Sequence, residues 1–370
     1  MQMNETTSRV LRAVGVTEER IATCTPLAGG TFNAVTRVAL TDGSDWVVKI
    51  PPPAVAGTLM SYERNLLVNE IEFYGRAGAS TAVIPHVLHS ELAPRFTQFP
   101  ESSAPPASPA SPASPASPAS PASPASPASP TGPYVIMSAC PGRPWNEIAP
   151  GAMSDAEERR LRNELGRIVA RLHTVTGPAG FGYPGQALGP LSPTWRQAFT
   201  AMTDAVLTDA DAYRARLPRS TAGIRALFAA ASPVLDDVTR PALVHFDLWQ
   251  GNLLVDGEPG ARTIGGIIDG ERMFWGDPVA DFVSLALFAD MEDDADFLAG
   301  YAQGAGRPVV FDASVRLRLA LYRCYLYLIM LVETVPRRVP REHLDWAWTE
   351  VAPQLVSALE DVESALRATG

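Results

Sequence analysis

The chain has very little lysine: of its 30 basic residues only Lys49 is a lysine, and the rest are arginine. Cysteine is also scarce, because Cys24, Cys140 and Cys324 are the three thiols in 370 residues. Their odd number and lack of CxxC spacing argue against both a disulfide framework and a structural zinc site. The longest uncharged apolar run, CYLYLIMLV at 324–332, has about half the length that a bilayer span requires.

A positively charged surface is lacking too. The 40 acidic residues outnumber the basic ones, the net charge is −10 and no basic patch forms, so we expect no nucleic-acid partner. The N-terminal segment has no apolar stretch after a basic start, so we expect a cytoplasmic protein without a membrane partner. Of the acidic side chains, 30 lie after residue 132. This asymmetry favours a cationic ligand, although solubility also explains such an excess.

The composition is that of a soluble globular protein, with 46% apolar residues and enough length for two lobes. It is interrupted by eight tandem Ala-Ser-Pro triplets at 107–130. Proline at every third position excludes helix and sheet, so we predict a disordered insertion at about 101–132. The flanks 87–99 and 134–138 resemble two strands of one sheet. This favours a surface loop over an interdomain linker, with a PxxP-binding arm as the alternative.

Before the insertion the chain is mostly strand-like. A glycine turn at 27–34 and a weakly alternating run at 35–40 precede the strand WVVKI at 46–50, and helical periodicity follows at 62–76. After the insertion the pattern is helical, beginning with a capping box, SDAE, at 154–157. The predicted later helices are 194–216, 221–231, 279–289, 313–335 and 343–368, with short strands at 242–244, 252–256 and 263–269.

This pattern predicts an α+β protein of two lobes. The N-terminal lobe, 1–137, would be a small antiparallel sheet with one helix. The C-terminal lobe, 138–370, would be larger and mainly helical.

The strongest chemical signal is HFDLWQGN, from His245 to Asn252, which fits HxDxxxxN. In phosphoryl transfer such an aspartate, here Asp247, orients the attacking hydroxyl, and the asparagine five residues later binds magnesium. An apolar strand then ends in Asp269, next to a glycine, which suits a second metal ligand. Lys49, at the end of an apolar strand after a glycine turn, suits the α and β phosphates of ATP. We therefore expect the N-terminal lobe to bind a nucleotide and the C-terminal lobe to hold the catalytic and substrate-binding residues.

These motifs, in this order, resemble the aminoglycoside phosphotransferase and choline kinase group of small-molecule kinases, which share the bilobal protein-kinase fold. The resemblance covers nearly the whole chain apart from the triplets. Its most specific segments are VHFDLWQGNLLV at 244–255 and IIDGERMFWGDPVADF at 267–282.

The resemblance implies a role for each matching residue. Lys49 would hold the phosphates and pair with Glu70, for which Glu72 is the competing candidate; Asp247 would be the catalytic base. Asn252 and Asp269 would bind Mg²⁺, with His245, Asp277 and Asp281 in support. Backbone amides would cover the phosphates at Gly29, Gly30, Thr31, Phe32 and Asn33. The nucleotide base would bind a hinge at Ser138, Ala139 and Cys140.

Two positions depart from the family pattern. Phe246 stands where glycine is usual, so the loop backbone is expected to differ or an aromatic ring to abut the substrate. Gly270 stands where an aromatic residue is common, which changes the packing behind the metal site. Only seven residues separate Asp269 from Asp277, which leaves no room for a phosphorylated activation loop and argues against a regulated protein kinase.

The predicted activity is transfer of phosphate from ATP, with GTP as the alternative, to a hydroxyl of a small polar molecule. We expect this molecule to be an antibiotic or natural product, and possession of the enzyme to give resistance or self-protection. A metabolic kinase for choline, homoserine, a sugar or a fructosamine is the alternative, because DLWQGN resembles the loop of fructosamine kinases. A catalytically inactive, nucleotide-binding regulator is a third possibility.

Overall fold

The computed structural model of the protein describes residues 4–27, 33–52, 59–81, 83–92 and 132–369. The predicted phosphate-covering residues Gly29 to Phe32 and the Ala-Ser-Pro triplets lie outside these ranges. Within them, no helix is both long enough and apolar enough to cross a bilayer.

The N-terminal lobe contains a five-stranded antiparallel sheet in the order β1-β2-β3-β5-β4. Its strands are β1 Ile21–Pro26, β2 Ala34–Leu40, β3 Asp45–Ile50, β4 Val87–Glu91 and β5 Tyr134–Ser138. The strands predicted at 35–40, 46–50 and 134–138 are therefore present, whereas β1 was not predicted. The flanks of the insertion do belong to one sheet, since Glu91 of β4 pairs with Tyr134 of β5.

One helix lies on each face of this sheet. The helix α1 (Glu5–Ala13), which the sequence analysis missed, buries Val10 and Leu11 in a small core with residues of β2, β3 and β5. The helix α2 (Leu66–Ala77) packs into the main core. It begins later than predicted because Asn65, at φ +64°, separates it from a short 3₁₀ turn at Ser61–Glu63.

The C-terminal lobe is mainly helical, as predicted. Of the predicted capping box, only the serine half forms: Ser154 Oγ accepts a hydrogen bond from the Glu157 amide at 3.3 Å, whereas the Glu157 carboxylate accepts from the Gly260 amide at 2.8 Å. The helices are α3 Asp155–Leu172, α4 Trp195–Tyr213, α5 Thr221–Ala231, α6 Phe282–Leu285, α7 Ala295–Ala305, α8 Ala313–Val332, α9 Arg341–Trp346 and α10 Ala352–Thr369, with a π-helical turn at Ala347–Val351.

The helix predicted at 279–289 is wrong. A 3₁₀ turn at Pro278–Asp281 leads into α6, which ends at Leu285, and Phe288 then adopts φ +64°. The acidic run 290–296 forms helix caps. Asp290 accepts a hydrogen bond from the Glu292 amide, and Asp294 caps α7, a helix that was not predicted.

Two small antiparallel sheets position the site in this lobe. One has the order β6-β8-β9 (Arg143–Pro144, Leu253–Asp256 and Thr263–Ile267), and the other pairs β7 (Ala242–Val244) with β10 (Phe274–Gly276). β7 ends immediately before His245, and β9 ends two residues before Asp269. The Ile268 amide donates a hydrogen bond to the Asn252 carbonyl at 3.0 Å. This bond brings together the two segments that carry the predicted metal ligands, Asn252 and Asp269.

Candidate active site

Lys49 lies on β3, whose strand pairs with β2 on one side and β5 on the other. The apolar, β-branched residues Val47 and Val48 favour this central position. Only 5% of Lys49 is exposed, so its ammonium needs buried acidic partners.

Three carboxylates surround this ammonium. Its Nζ lies 2.9 Å from Glu70 Oε2 and 2.7 Å from Glu271 Oε2, and it forms a still closer ion pair with Asp269 Oδ1. Tyr74 donates a hydrogen bond to Glu70 at 3.1 Å. We call Lys49, Glu70, Asp269 and Glu271 the Lys49 cluster.

The cluster decides between the two candidate partners of Lys49 on α2. Glu70 is fully buried against Lys49, whereas Glu72 pairs with Arg76 at 2.9 Å on a more exposed face of the helix. Residues two apart on a helix point in different directions, so only one of them can face the sheet.

The cluster contains more acid than base. Its three carboxylates and one ammonium carry a net charge of −2 when all are ionised. Burial raises the pKa of Glu70 to about 7 despite the opposing effect of Lys49, and it also raises the pKa of Glu271. For Asp269, burial acts in the same direction, but the Lys49 ammonium outweighs it and the pKa falls below its usual value. The Lys49 ammonium stays charged, because three carboxylates outweigh the cost of its burial and hold its pKa well above normal.

The catalytic loop is held by a single buried carboxylate. Asp281 accepts hydrogen bonds from the backbone amides of His245 at 3.2 Å and Phe246 at 2.6 Å, and it contacts His173 Nε2 at 2.8 Å. Ser284 Oγ accepts from the next amide but one, that of Leu248, at 2.9 Å. Asp281 therefore fixes the shape of the loop, and its side chain does not cap the helix that follows.

His245 braces the loop against the strand end that carries Asp269. Its Nε2 lies 3.0 Å from the Ile268 carbonyl, and its Nδ1 accepts a hydrogen bond from the Asp247 amide at 3.2 Å. Burial lowers the pKa of His245, so the ring is neutral and donates from Nε2. This agrees with the supporting role predicted from the sequence.

Phe246 adopts a backbone conformation that glycine, the usual residue at its position, takes up readily. Its φ is +63°, which costs about 1–2 kcal/mol for a non-glycine residue, and this value does not make the loop backbone different from that of a glycine-containing loop. Its ring does not abut the substrate side. It is fully buried, 5.1 Å from Phe274 and 5.5 Å from Tyr325 between ring centroids, and this packing offsets the strain.

Asp247 and Asn252 are in direct contact. Asn252 Nδ2 donates to the Asp247 backbone carbonyl at 2.8 Å and to its Oδ2 at 3.1 Å. With its nitrogen committed in this way, the side-chain oxygen of Asn252 remains as a potential metal ligand. Burial raises the pKa of Asp247 to about 6, and Arg272, with Nε 3.8 Å from Oδ2, opposes this rise.

The space beside Gly270 is filled from the neighbouring helix. A Cβ at Gly270 would lie 2.5 Å from Cδ1 of Phe73 on α2, so no side chain fits there. The Phe73 ring also packs edge-on against His245, with 4.9 Å between ring centroids. The aromatic group that was expected next to Asp269 is thus supplied by Phe73 of α2.

The hinge residues differ in the backbone groups they offer. The Ser138 amide donates to the His86 carbonyl and the Ala139 amide to the Asp45 carbonyl, both at 2.9 Å. Within the described ranges, Cys140 is the one of the three whose amide has no backbone acceptor. Burial raises the pKa of the Cys140 thiol to about 11, so it behaves as an unreactive apolar group.

Asp277 anchors the segment that follows the loop at Asp269. It accepts hydrogen bonds from the Val279 amide at 3.2 Å and from Tyr322 at 2.7 Å, and it forms an ion pair with Arg318. The contact ties this segment to α8, in keeping with the anchoring role predicted for Asp277.

Sequence reasoning missed a chain of charges on the other side of Asp247. Arg272 pairs with Glu333 at 2.9 Å, Glu333 lies 3.2 Å from Arg337, and Arg337 forms an ion pair with Glu63. We call Asp247, Arg272, Glu333, Arg337 and Glu63 the Arg272 chain. The DGER sequence placed Glu271 and Arg272 next to a predicted metal ligand, but their partners lie far away in the sequence and only the fold brings them together.

A family model for phosphotransferase enzymes matches residues 23–321. The chain belongs to the phosphotransferase enzyme family. This phosphotransferase also resembles solved structures over nearly its whole length. A candidate fructosamine-3-kinase from Thermobifida fusca is 19% identical with a TM-score of 0.60, and the match covers 99% of this chain and 100% of that one.

Two other solved structures are similar. The gentamicin complex of the aminoglycoside phosphotransferase APH(2″)-IIa has a TM-score of 0.57 at 15% identity, covering 96% of this chain and 99% of that one. The macrolide 2′-phosphotransferase MphH from Brachybacterium faecium has a TM-score of 0.52 at 16% identity, covering 94% and 97%. This phosphotransferase is therefore a small-molecule kinase with the bilobal protein-kinase-like fold, as predicted.

Proposed function

We propose that this phosphotransferase moves the γ-phosphoryl group of ATP, in a Mg²⁺-dependent reaction, to a hydroxyl of an antibiotic or related natural product. The observation that carries the proposal is that Asp247, Asn252, Asp269 and Lys49 lie in one connected group: Asn252 bonds to Asp247, the Ile268 amide bonds to Asn252, and Asp269 pairs with Lys49. Aminoglycoside phosphotransferases of similar fold have been solved with ADP and with GDP. GTP is therefore the alternative donor.

The residues fit a magnesium ion. The hydrogen bonds from Asn252 to Asp247 use its side-chain nitrogen and leave its side-chain oxygen available. Asp269, two residues after β9, has a carboxylate that is one-third exposed. Carboxylate and amide oxygens are the hard ligands that Mg²⁺ prefers. Asn252 and Asp269 would hold the ion, which when bound would neutralise charge on the triphosphate.

The protein's own groups would position the reactants. Lys49, always charged, would pair with the α and β phosphates while Glu70 keeps its side chain in place. Asp247 would accept a hydrogen bond from the acceptor hydroxyl and align it for in-line attack on the γ phosphorus. Since Asp247 is fixed by Asn252 and its loop by Asp281, little reorganisation would be needed as the reaction proceeds.

A second candidate is a fructosamine or related sugar-amine kinase. Trp249, two residues after Asp247, is 39% exposed, and a Cβ at Gly251 would lie 2.2 Å from its ring. An indole held flat in this way offers a platform beside the reacting hydroxyl. The structural likeness to a candidate fructosamine-3-kinase supports the same reading.

The test is incubation of the purified protein with Mg²⁺, ATP or GTP, and a panel of aminoglycosides, macrolides, nucleoside antibiotics, fructosyl-amines and choline. Mass spectrometry would detect a product heavier by one phosphate. We expect at least one antibiotic to be phosphorylated by the wild-type protein and not by Asp247→Asn. Phosphorylation confined to fructosyl-amines, with unchanged drug susceptibility of a host, would favour the second candidate. Absence of any Asp247-dependent product would contradict both.

A further inference from the structure

Asn69 lies on α2, one residue before Glu70, and it is fully buried. Its side chain bonds to two loops of the C-terminal lobe. The oxygen Oδ1 accepts a hydrogen bond from the Gly185 amide at 2.8 Å, and the nitrogen Nδ2 donates to the Glu271 backbone carbonyl at 3.1 Å. Neither bond takes part in the proposed phosphoryl transfer.

The loop at 182–186 is firmly held within the C-terminal lobe. Gly182 and Trp275 of β10 exchange two backbone hydrogen bonds, at 2.8 and 3.0 Å. The ring of Tyr183 is buried, and its hydroxyl lies 2.9 Å from that of Tyr325 on α8. Because the loop is anchored on β10 and α8, a bond from it to α2 fixes that helix relative to the C-terminal lobe.

The contact between this loop and α2 is too close for a side chain at Gly185. A Cβ there would lie 2.8 Å from Asn69 Oδ1 and 3.0 Å from the Asn65 carbonyl oxygen. Asn65 adds a further bond, because its Nδ2 donates to the Gly185 carbonyl at 3.1 Å. The start of α2 therefore bonds to both backbone polar groups of Gly185.

The second bond of Asn69 reaches a residue that shares Lys49 with Glu70. The Glu271 carboxylate lies 2.7 Å from Lys49 Nζ, and it also accepts a hydrogen bond at 2.7 Å from Nδ2 of Asn33, the predicted phosphate-loop residue that the structure describes. Asn69 thus holds the backbone of one member of the Lys49 cluster, and the next residue of α2, Glu70, is another member.

These bonds make other positions of α2 unfavourable. A displacement that broke either one would leave part of the buried Asn69 amide group without a partner, which is costly inside a protein. The same displacement would carry Glu70 away from Lys49, because the two residues are adjacent on one helix.

We propose that Asn69 is a positioning residue of the nucleotide site, which sets how Glu70 meets the Lys49 ammonium by fixing α2 to both loops at once. In the proposed reaction, the fixed helix keeps Lys49 where it would meet the α and β phosphates. The inference rests on the proposed function for this consequence alone, since the position of α2 can be followed without turnover.

The experiment measures how fast sulfo-N-hydroxysuccinimide acetate acetylates Lys49 in the full chain without nucleotide, with peptide mapping to separate Lys49 from the N-terminal amine. Lys49 is buried among three carboxylates, so the wild-type protein should react slowly. Asn69→Ala should raise the rate by about tenfold, because loss of a buried hydrogen bond favours the displaced helix by about that factor.

Asn163→Ala is the matched control. Asn163 on α3 also donates from Nδ2 to a backbone carbonyl, that of Asp296 at 3.2 Å, and also accepts at Oδ1, from Arg167, but these contacts join α3 to α7 and do not include the Lys49 cluster. Both alanine variants should lower the melting temperature, whereas only Asn69→Ala should speed acetylation of Lys49.

Gly185→Ala tests the same contact from the other side. A methyl group here would push the loop away from α2 while every side chain of α2 stays native. We expect it to speed acetylation of Lys49 as Asn69→Ala does. Gly75→Ala, on an exposed part of α2 with open space around the new methyl group, is its control and should react like wild type.

A merely structural role for Asn69 predicts a lower melting temperature with Lys49 acetylated no faster than in Asn163→Ala. That result would overturn the proposal, and so would Gly185→Ala that reacts no faster than Gly75→Ala.

These outcomes are separable from the fate of the proposed function. Faster acetylation in Asn69→Ala and Gly185→Ala of a protein that phosphorylates no panel member would keep Asn69 as the residue that positions α2 and remove the kinase proposal. An Asp247-dependent phosphorylated product, with acetylation of Lys49 unchanged in both variants, would do the reverse.

Discussion

The two groups of charged residues next to Asp247, the proposed catalytic residue, are built differently. In the Arg272 chain, acids and arginines alternate from Asp247 to Glu63, and three carboxylates face two guanidinium groups. In the Lys49 cluster, three carboxylates share one ammonium. An alternating chain is nearly satisfied by itself and serves as structure, whereas a cluster with surplus acid is completed by what binds to it.

Position in the fold agrees with this division. The Arg272 chain joins the 3₁₀ turn before α2 to the segment that follows α8. The same turn is fixed on α4, where Asp209 accepts hydrogen bonds from the Ser61 amide at 2.7 Å and hydroxyl at 2.6 Å. The Lys49 cluster instead joins β3, α2 and the loop that contains Asp269.

The largest effect is expected at Asp247, which belongs to the Arg272 chain but would also act on the substrate. Asp247→Asn keeps the shape and removes the charge that orients the hydroxyl, so kcat should fall by about 10²–10⁴-fold while nucleotide still binds. Steady-state kinetics and nucleotide titration would measure the two properties. Asp256→Asn, at the exposed end of β8, is the control and should leave both unchanged.

Breaking the Arg272 chain away from the reacting atoms should affect stability. Arg337→Met leaves the fully buried Glu63 carboxylate without its guanidinium partner, which should lower the free energy of unfolding by about 3–5 kcal/mol. Urea denaturation would measure it. Arg341→Met removes an exposed pair with Asp345 and should cost less than about 1 kcal/mol. Equal losses in the two variants would show that the chain is not structural.

The Lys49 cluster offers a chemical test, because Lys49 is the single lysine of the chain. A lysine-directed ATP-site probe should label only Lys49 or the N-terminal amine, and peptide mapping separates them. We expect Mg·ATP to reduce labelling of Lys49 by about tenfold when present at ten times its Kd, as competition at one site requires. Labelling that does not respond to nucleotide would remove Lys49 from the nucleotide site.

The smallest effect is expected from deleting residues 107–130. Glu91 and Tyr134 are cross-strand partners, so the chain enters and leaves the insertion at neighbouring points, and the residues that remain can bridge them. Activity and melting temperature should stay within about twofold and a few degrees of wild type. A large loss of activity would instead favour a partner-binding or substrate-binding role for the triplets.

The parts of the site that depend on local spacing could be predicted from the sequence. Lys49 follows from a strand pattern, and the contact between Asp247 and Asn252 follows from a loop of fixed length. Glu271 and Arg272 could not be assigned in this way, because Glu271 finds Lys49 and Asn33 more than 200 residues away. The role of a charged residue near a motif can be assigned only when the fold shows which residues it contacts.

The errors in the fold have a similar origin. Residues 279–289 contain enough apolar positions for a helix, but Asp281 bonds to the catalytic loop and α6 is short. The helix α7 was not predicted, because its start depends on Asp294, which caps it and pairs with Arg162 of α3. Tertiary contacts overrode local propensity in both places.

Asp281 has a consequence for how such an enzyme can change its substrate. The Asp281 carboxylate connects His173, at the end of α3, to the backbone amides of His245 and Phe246. The shape of the loop at 245–252 is therefore set by buried residues inside the C-terminal lobe. Helices α4 and α5 contribute no group to these bonds. Substitutions on their outward surfaces, whether selected in nature or introduced in a library, should therefore leave the conformation of the loop at 245–252 unchanged.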